Sequence, residues 1–184
     1  MFELSLHLLD LVQNAISAGA ALVVIRIEID TRRDVVVITL IDDGCGMDEA
    51  LLKRVESPFA TTRTTRKVGL GIPMFKQLAE MCEGEFFLTS APGKGTTLRA
   101  SFRYSCVDLP PLGDLTGTMR TLIQGAPDKP DFVLEYRRDG RAFTFDTREV
   151  REAMGGLSLN ECDILAWIGD YIKEGLEEAD APTD

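Results

Sequence analysis

Three polar side chains on the first predicted helix lie where they could contact a bound ligand. His7, Asp10 and Asn14 are spaced at i, i+3 and i+7, so they share one face of the helix. The apolar residues of this segment lie on its other sides. A polar ridge on a helix that packs against a sheet indicates a binding face, although a solvated helix face has the same pattern.

A carboxylate and two glycines follow the second predicted strand. The segment Asp43-Gly44-Cys45-Gly46-Met47 places the Asp43 carboxylate where it can accept a hydrogen bond from an exocyclic amino group such as that of adenine. Gly44 and Gly46 have no Cβ atom, so a flat ligand can approach the backbone there. Asp-Gly is also frequent in ordinary tight turns, and the pattern alone fits either interpretation.

A glycine pair, Gly69 and Gly71, stands at the start of another predicted helix. Backbone N–H groups at the positive end of a helix form a favourable site for an anion. The preceding loop brings hydroxyl groups and cations into an otherwise acidic chain, which a phosphate-binding lid explains; a flexible solvated loop is the alternative. Neither a P-loop motif nor a complete dinucleotide-binding fingerprint is present. The loop residues concerned are Thr61, Thr62, Arg63, Arg66 and Lys67.

Hydrophobic periodicity predicts the elements that must position these groups. The first helix ends at Gly19, and strands with alternating apolar residues follow it. A last motif, Gly93-Lys94-Gly95-Thr96-Thr97, leads into another strand. The predicted elements are helices over 3–19, 48–56 and 71–83 and strands over 22–30, 35–41, 85–91 and 96–104.

The pattern breaks around Leu109-Pro110-Pro111, which predicts a domain of residues 1–104 and a C-terminal appendage of residues 105–184. Asp139-Gly140 is a strong signal for a hairpin turn. Ser158, with Glu161 three residues later, forms a capping box that predicts the start of the last helix. The appendage is therefore predicted to contain a helix over 112–124, strands over 132–137 and 141–146, and a helix over 159–178.

The composition argues against several classes of function. The 184 residues carry a formal net charge of −10, which disfavours nucleic acid as a partner because phosphate backbones reward clustered Lys and Arg. No apolar run approaches the ~20 residues of a membrane span, so we expect no membrane contact and a cytoplasmic location. Four scattered cysteines without a CxxC pair, and one histidine, argue against a disulfide framework or a zinc site.

Taken in order, these motifs resemble the GHKL superfamily of ATP-binding domains. This superfamily includes DNA gyrase B subunits, ninety-kilodalton heat-shock chaperones, sensor histidine kinases and mismatch-repair ATPases. The resemblance covers residues 3–104 and implies a Bergerat-type fold, an α/β two-layer sandwich in which helices cover one face of a mixed, largely antiparallel sheet. The matching boxes are Leu11 to Ile16, Asp43 to Met47, Ser57 to Ile72, and Gly93 to Thr97.

The resemblance also implies the cofactors, ATP and Mg²⁺, and a role for each matching residue. Asn14 would hold Mg²⁺, and Asp43 would bind the adenine amino group with support from Thr96. Asp10 stands where gyrase-like ATPases carry a catalytic Glu as general base, and its side chain is one methylene shorter. The implied ATP-binding residues are Asn14, Asp43, Gly44, Gly46, Met47, Thr61, Thr62, Arg63, Lys67, Gly69, Leu70, Gly71 and Thr96.

Three functions are compatible with these features. The first is an Mg·ATP-dependent switch with slow hydrolysis, in which the lid orders on the γ-phosphate and changes contacts with a protein partner. The second is a protein kinase that acts in trans on a His or Ser/Thr of a partner. The third is a non-enzymatic adaptor in which residues 105–184 provide the docking surface. The intact set of Asn14, Asp43 and glycines argues against the third.

Overall fold

The computed structural model describes residues 3–56 and 70–182. These residues form six helices and six strands, most of them within a residue or two of their predicted positions. The helices are α1 (Leu4–Ser17), α2 (Glu49–Val55), α3 (Gly71–Met81), α4 (Leu115–Gly125), α5 (Thr147–Ala153) and α6 (Cys162–Asp180), and the strands are β1 (Leu22–Asp30), β2 (Val35–Asp42), β3 (Phe86–Ser90), β4 (Thr96–Arg103), β5 (Asp131–Arg138) and β6 (Arg141–Asp146).

All six strands belong to one sheet, in the order β3-β4-β2-β1-β5-β6. The β1–β5 pair is parallel, and the other four pairs are antiparallel. This arrangement confirms the expected mixed, largely antiparallel sheet in an α/β sandwich. Strands β5 and β6 come from the predicted appendage, yet they extend the same sheet. The division into two domains at residue 104 therefore stays a prediction.

The alternation of side chains along the strands decides which face of the sheet the helices cover. On β1, Val23, Ile25 and Ile27 are fully buried, whereas the residues between them are only half-buried. The same period of two continues on the neighbouring strands, because paired residues point to the same face. We call the face that carries these buried residues the inner face, and the opposite one the outer face.

The helices complete the core with apolar stripes. Helix α1 buries Leu4, Leu8 and Leu11 against the sheet, and it ends before Gly19, whose φ of +72° is typical of a helix C-terminus. Helix α4 packs beside α1, and α6 packs against α4 and β6. None of the helices in the described ranges is long and apolar enough to cross a bilayer.

The C-terminal part differs from the prediction at two places. The last helix begins at Cys162, and Glu161 caps it without a side-chain hydrogen bond, so the predicted capping box does not form. Ser158 instead accepts a hydrogen bond from the N–H of Asn160. A short helix, α5, was not predicted. It begins after Asp146, whose carboxylate accepts a hydrogen bond from the N–H of Arg148.

Candidate functional site

A cavity of about 490 Å³ lies between α1, α2, α3 and the inner face of the sheet. This volume is within the usual range for small-molecule sites. Its walls are largely apolar, and polar groups reach it from Asn14, Asp42 and Thr96. Aliphatic side chains line the rest, among them Leu40, Met47, Ile72, Leu88 and Leu98. A flat apolar ring with a few polar substituents matches this lining.

Asp42 is the carboxylate of the cavity. It is the last residue of β2, it is 9% exposed, and it lies directly across from Thr96 of β4. Its Oδ1 atom accepts a hydrogen bond from the N–H of Gly44 at 2.8 Å. Burial raises the pKa of this carboxyl, and the backbone N–H groups of Gly44 and Thr96 offset that rise only in part. A ligand that donates a hydrogen bond to this carboxylate would offset part of the free-energy cost of burying its charge.

Asp43, the predicted adenine ligand, does not line this cavity, whereas the preceding residue, Asp42, does. Its exposed carboxylate accepts hydrogen bonds from the N–H groups of Ala21 and Leu22, at 2.7 and 2.9 Å. Asp42 is the last inward residue of β2, and Asp43, which follows the strand, is held by these hydrogen bonds at the start of β1. Asp43 therefore fastens the start of β1 to the end of β2.

The glycines of the loop after β2 serve close backbone packing. Gly46 has a φ of +68°, and a Cβ atom there would collide with the carbonyl oxygen of Ala91. Gly44 is buried against Ala18. The N–H of Cys45 donates to the carbonyl of Ala18 at 2.9 Å, which ties the loop to the end of α1. The predicted motif is thus present, and Gly46 lines the cavity. The absence of a Cβ atom at Gly46 leaves room for the backbone of Ala91, not for a ligand.

A small hydrogen-bond network supports Thr96 and Met47 on the cavity wall. The Ser90 hydroxyl lies 3.0 Å from that of Thr96 and accepts a hydrogen bond from the N–H of Met47 at 2.8 Å. The same hydroxyl donates to the carbonyl of Gly95. Ser90 therefore joins β3, β4 and the glycine loop. The sequence analysis missed this residue, because nothing in its immediate neighbours marks it.

The polar ridge of α1 divides into two parts. Asn14 is half-buried and lines the cavity. Asp10, one turn earlier, is exposed and lies beside Gly71 at the start of α3, where a Cβ atom on the glycine would be 3.4 Å from that of Asp10. Burial lowers the pKa of His7, and the charge of Asp10 opposes that effect. The ring of His7 lies 6.0 Å from that of Phe75.

The start of α3 lies close to this ridge, as the anion-site prediction requires. Gly71 is buried and Leu70 is 53% exposed. Leu70, the N-cap residue of α3, makes no side-chain hydrogen bond to the helix. The remaining predicted phosphate-binding residues fall outside the described ranges, so their placement stays a prediction: Thr61, Thr62, Arg63, Lys67 and Gly69.

The side-chain amide oxygen of Asn14 is a ligand of the kind that Mg²⁺ accepts together with phosphate oxygens and water. Mg²⁺ prefers oxygen ligands and is usually held by few protein groups together with substrate phosphates. Within residues 3–56 and 70–182, no three His, Cys, Asp or Glu side chains gather into a metal-binding group. Asn14 is the cavity residue that the resemblance implies as the magnesium ligand, and this role stays a prediction.

Asp42 could have been found from the strand pattern. Val36, Ile38 and Leu40 alternate as the inward residues of β2, and Asp42 is next in that series. The apolar wall residues Ile72, Leu88 and Val55 carry no comparable signal, because their spacing is that of any core residue.

The first half of this chain is similar in sequence to known proteins. The model of the "Histidine kinase-, DNA gyrase B-, and HSP90-like ATPase" family matches residues 3–105. A "Putative sensor protein" of Shewanella frigidimarina is 36% identical over 97 residues, 52% of this chain and 15% of that protein. "Sporulation kinase E" of Bacillus subtilis is 44% identical over 64 residues, 35% of this chain and 8% of that protein. The chain therefore spans a small part of the length of these relatives.

One solved structure that is similar to this one is described as the Aquifex aeolicus MutL ATPase domain complexed with ADP. It superposes with a TM-score of 0.46 at 12% identity. The superposition covers 80% of this chain and 67% of that one.

Proposed function

The chain belongs to the histidine kinase-, DNA gyrase B- and HSP90-like ATPase family, and from this premise we propose that it is an Mg·ATP-dependent switch that hydrolyses ATP slowly and acts on a protein partner. Members of this family bind adenine nucleotides.

The observation that carries the proposal is the buried carboxylate of Asp42 in an apolar cavity. An exocyclic amino group of adenine is a neutral donor of the right kind for this acceptor, and the aliphatic walls suit the two faces of the ring. Thr96 and the Ser90 network stand beside Asp42 and would support the same edge of the base. Asp42 therefore takes the adenine role that the sequence analysis gave to Asp43.

The phosphates would extend from the base toward Asn14 and the start of α3. In that direction Asn14 would hold the magnesium ion, which neutralises phosphate charge when it is bound. The N-terminal end of α3 would favour the same negative charge. The predicted lid residues Thr61, Thr62, Arg63 and Lys67, together with Gly69, would complete this end of the site.

Asp10 is the proposed general base. It is exposed and lies beside Gly71, so its carboxylate would be near a phosphate bound at the start of α3 and would accept a proton from the attacking water. A positioned base contributes typically about 10²–10⁴ in rate. Its shorter side chain, compared with Glu, places the carboxylate farther from that water, which supports slow hydrolysis.

The second candidate, a protein kinase acting in trans, is supported by three relatives whose names contain the word kinase. In this alternative the γ-phosphate passes to a His or Ser/Thr of the partner. Both candidates use the same nucleotide site, so binding experiments do not separate them.

Binding is tested by thermal unfolding with Mg·ATP, using Asp42→Ala and, as the matched control, Asp43→Ala. Ligand at 100 times its dissociation constant should stabilise the wild type by about 2.7 kcal/mol. Asp42→Ala should lose this stabilisation, whereas Asp43→Ala should keep it, because the Asp43 carboxylate does not line the cavity and accepts hydrogen bonds from the N–H groups of Ala21 and Leu22. No shift with any adenine nucleotide, or equal shifts in both variants, would contradict the proposed site.

The fate of the phosphate separates the two candidates. ATP labelled at the γ-phosphate is incubated with the chain, with and without cell extract, and label is followed into free phosphate or into protein. The switch proposal expects slow release of phosphate that Asp10→Asn abolishes while nucleotide binding persists. Label on a partner protein with no release to water would favour the kinase.

A further inference from the structure

A second cavity, of about 720 Å³, lies on the outer face of the sheet at the end remote from Asp42. We call it the arginine groove after Arg32, Arg33, Arg137 and Arg141, which line it. Strand β2 runs from Val35 in the groove to Asp42 in the first cavity, about 23 Å at ~3.3 Å per residue. The two cavities therefore lie at opposite ends and on opposite faces of the sheet.

Strand pairing builds the floor of the groove. Glu28 of β1 lies between Val37 of β2 and Arg137 of β5, and Arg137 lies beside Ala142 of β6. The floor thus crosses four strands and combines aliphatic groups with one ion pair. In that pair the Nη1 atom of Arg137 lies 3.7 Å from the Oε1 atom of Glu28. This distance exceeds hydrogen-bond length, so the guanidinium keeps donors for a ligand.

Two turns form the walls and hold each other in place. The carboxylate of Asp139, in the β5–β6 turn, accepts hydrogen bonds from the N–H and hydroxyl of Thr31 in the β1–β2 turn, at 2.8 and 3.0 Å. The N–H of Asp139 donates to the carbonyl of Ile29 at 3.0 Å. Because the turns are fixed before any ligand arrives, binding does not have to order them.

Two carboxylates of the groove, those of Asp30 and Asp139, already accept hydrogen bonds from groups of the protein. Asp30 accepts hydrogen bonds from the N–H groups of Arg32 and Arg33, and Asp139 is occupied by Thr31. The side chain of Arg33 is 83% exposed, and its Nε atom is 3.7 Å from Asp30. Arg141 reaches back to the carbonyls of Glu178 and Pro182. Arg32, Arg33 and Arg137 thus face solvent as donors, in a chain whose net charge is −10.

We propose that the arginine groove is a docking site for an acidic segment of a protein partner. Carboxylates of that segment would bind Arg32, Arg33 and Arg137, because a guanidinium matches a carboxylate with paired hydrogen bonds. Aliphatic side chains between the acidic residues would lie on Val35 and Val37. A uniformly charged phosphate backbone suits the groove less well, since Glu28, Asp30 and Asp139 lie among the arginines. The site goes beyond the nucleotide proposal and does not depend on it.

The test uses the full chain without nucleotide and a fluorescein-labelled peptide of alternating Glu and Val, followed by fluorescence anisotropy. The peptide should bind, and its affinity should fall as salt shortens the screening length from ~10 Å at 0.1 M to ~3 Å at 1 M. The double variant Arg32→Glu/Arg33→Glu should weaken binding by about tenfold or more. Arg32→Gln, which only removes one charge, should give a smaller loss in the same direction.

Arg99→Glu is the matched control, because Arg99 is exposed on the outer face of β4 and lies outside the groove. It should leave peptide affinity within about twofold of wild type, and circular dichroism should show that every variant is folded. Equal binding by a Lys–Val peptide, or equal losses in the Arg99 and Arg32/Arg33 variants, would overturn the proposal. Tighter binding of a single-stranded oligonucleotide that depends on Arg32 and Arg33 would replace the acidic peptide with nucleic acid.

Discussion

The N–H of Leu4 donates to the carbonyl oxygen of Pro111 at 3.0 Å, so the helix that carries Asn14 is capped by the C-terminal half of the chain. The N–H of Ser5 donates in the same way to Leu112, at 2.9 Å. These bonds satisfy donors that a helix start leaves unpaired, and Glu3 supplies no side-chain cap of its own. The position of α1 therefore depends on residues far along the sequence.

We expect a chain of residues 1–104 to be much less stable than the full chain. The truncation removes the two capping carbonyls, uncovers the side of α1 that α4 packs against, and turns β1 into an edge strand. Unfolding free energies of domains this size are about 5–15 kcal/mol, and the fragment should lose most of that. Thermal melts followed by circular dichroism, with a chain ending at residue 182 as control, measure the loss. A fragment that melts like the full chain would instead support independent domains.

Asp42→Asn should stabilise the unliganded protein at neutral pH. Burial raises the pKa of this carboxyl above its ordinary 3.8, so folding takes up a proton between that value and the raised one. The free energy of unfolding therefore falls as pH rises through this window, and the penalty persists at pH 7. The asparagine keeps an acceptor for the N–H of Gly44 without the charge.

Urea unfolding of wild type and Asp42→Asn at pH 7 and near pH 4 measures this effect. The variant should be the more stable at pH 7, and the difference should shrink toward the acid end. Asp43→Asn is the control, because its carboxylate is exposed, and it should show no such gain. A variant less stable than wild type at pH 7 would mean that the charge of Asp42 is well solvated.

The sequence predicts the elements around the first cavity well, because the patterns that indicate them are local. The alternation in β1 and β2 and the stripe on α1 each follow from neighbouring residues. The Asp-Gly pair led the prediction to Asp43, but of the two carboxylates it is Asp42 that lines the cavity. Had the alternation of Val36, Ile38 and Leu40 been continued, it would have selected Asp42.

The C-terminal half was harder to place because its partners are distant. The parallel pairing of β1 with β5 joins residues about a hundred positions apart, as the 2.6 Å ion pair of Arg26 with Glu135 shows. No pattern among neighbouring residues predicts that β1 pairs with β5. The arginine groove depends on it as well, since its floor exists only when Glu28 and Arg137 are neighbours.

Nucleotide should protect Cys45 from alkylation. Cys45 is exposed and lines the first cavity, whereas Cys162 is exposed at the start of α6, away from it. With Mg·ATP at 100 times its dissociation constant, N-ethylmaleimide should label Cys45 about a hundredfold more slowly. Labelling of Cys162 is the internal control and should not change. Mass spectrometry of the two peptides gives both rates, and equal labelling of Cys45 with and without nucleotide would place the ligand elsewhere.

Tyr136→Phe should destabilise the fold by about 1–2 kcal/mol at pH 8. Tyr136 is fully buried, and its hydroxyl donates to Asp180 at 2.6 Å, which fastens the end of α6 to β5. The cost is limited because Arg138 also holds Asp180, at 3.4 Å. Tyr104→Phe, which changes an exposed hydroxyl that accepts a hydrogen bond from Arg138, is the control and should cost less.

The same tyrosine should make the wild type sensitive to alkali. Burial, followed by the neighbouring Asp180, raises the pKa of Tyr136, so the folded phenol keeps its proton where an unfolded tyrosine releases one. Folding thus takes up a proton above about pH 10, and the free energy of unfolding falls as pH rises through that range. Urea unfolding at pH 8 and pH 10.5 should show a steeper decline in wild type than in Tyr136→Phe. Parallel declines in the two proteins would show that other groups govern the alkaline limit.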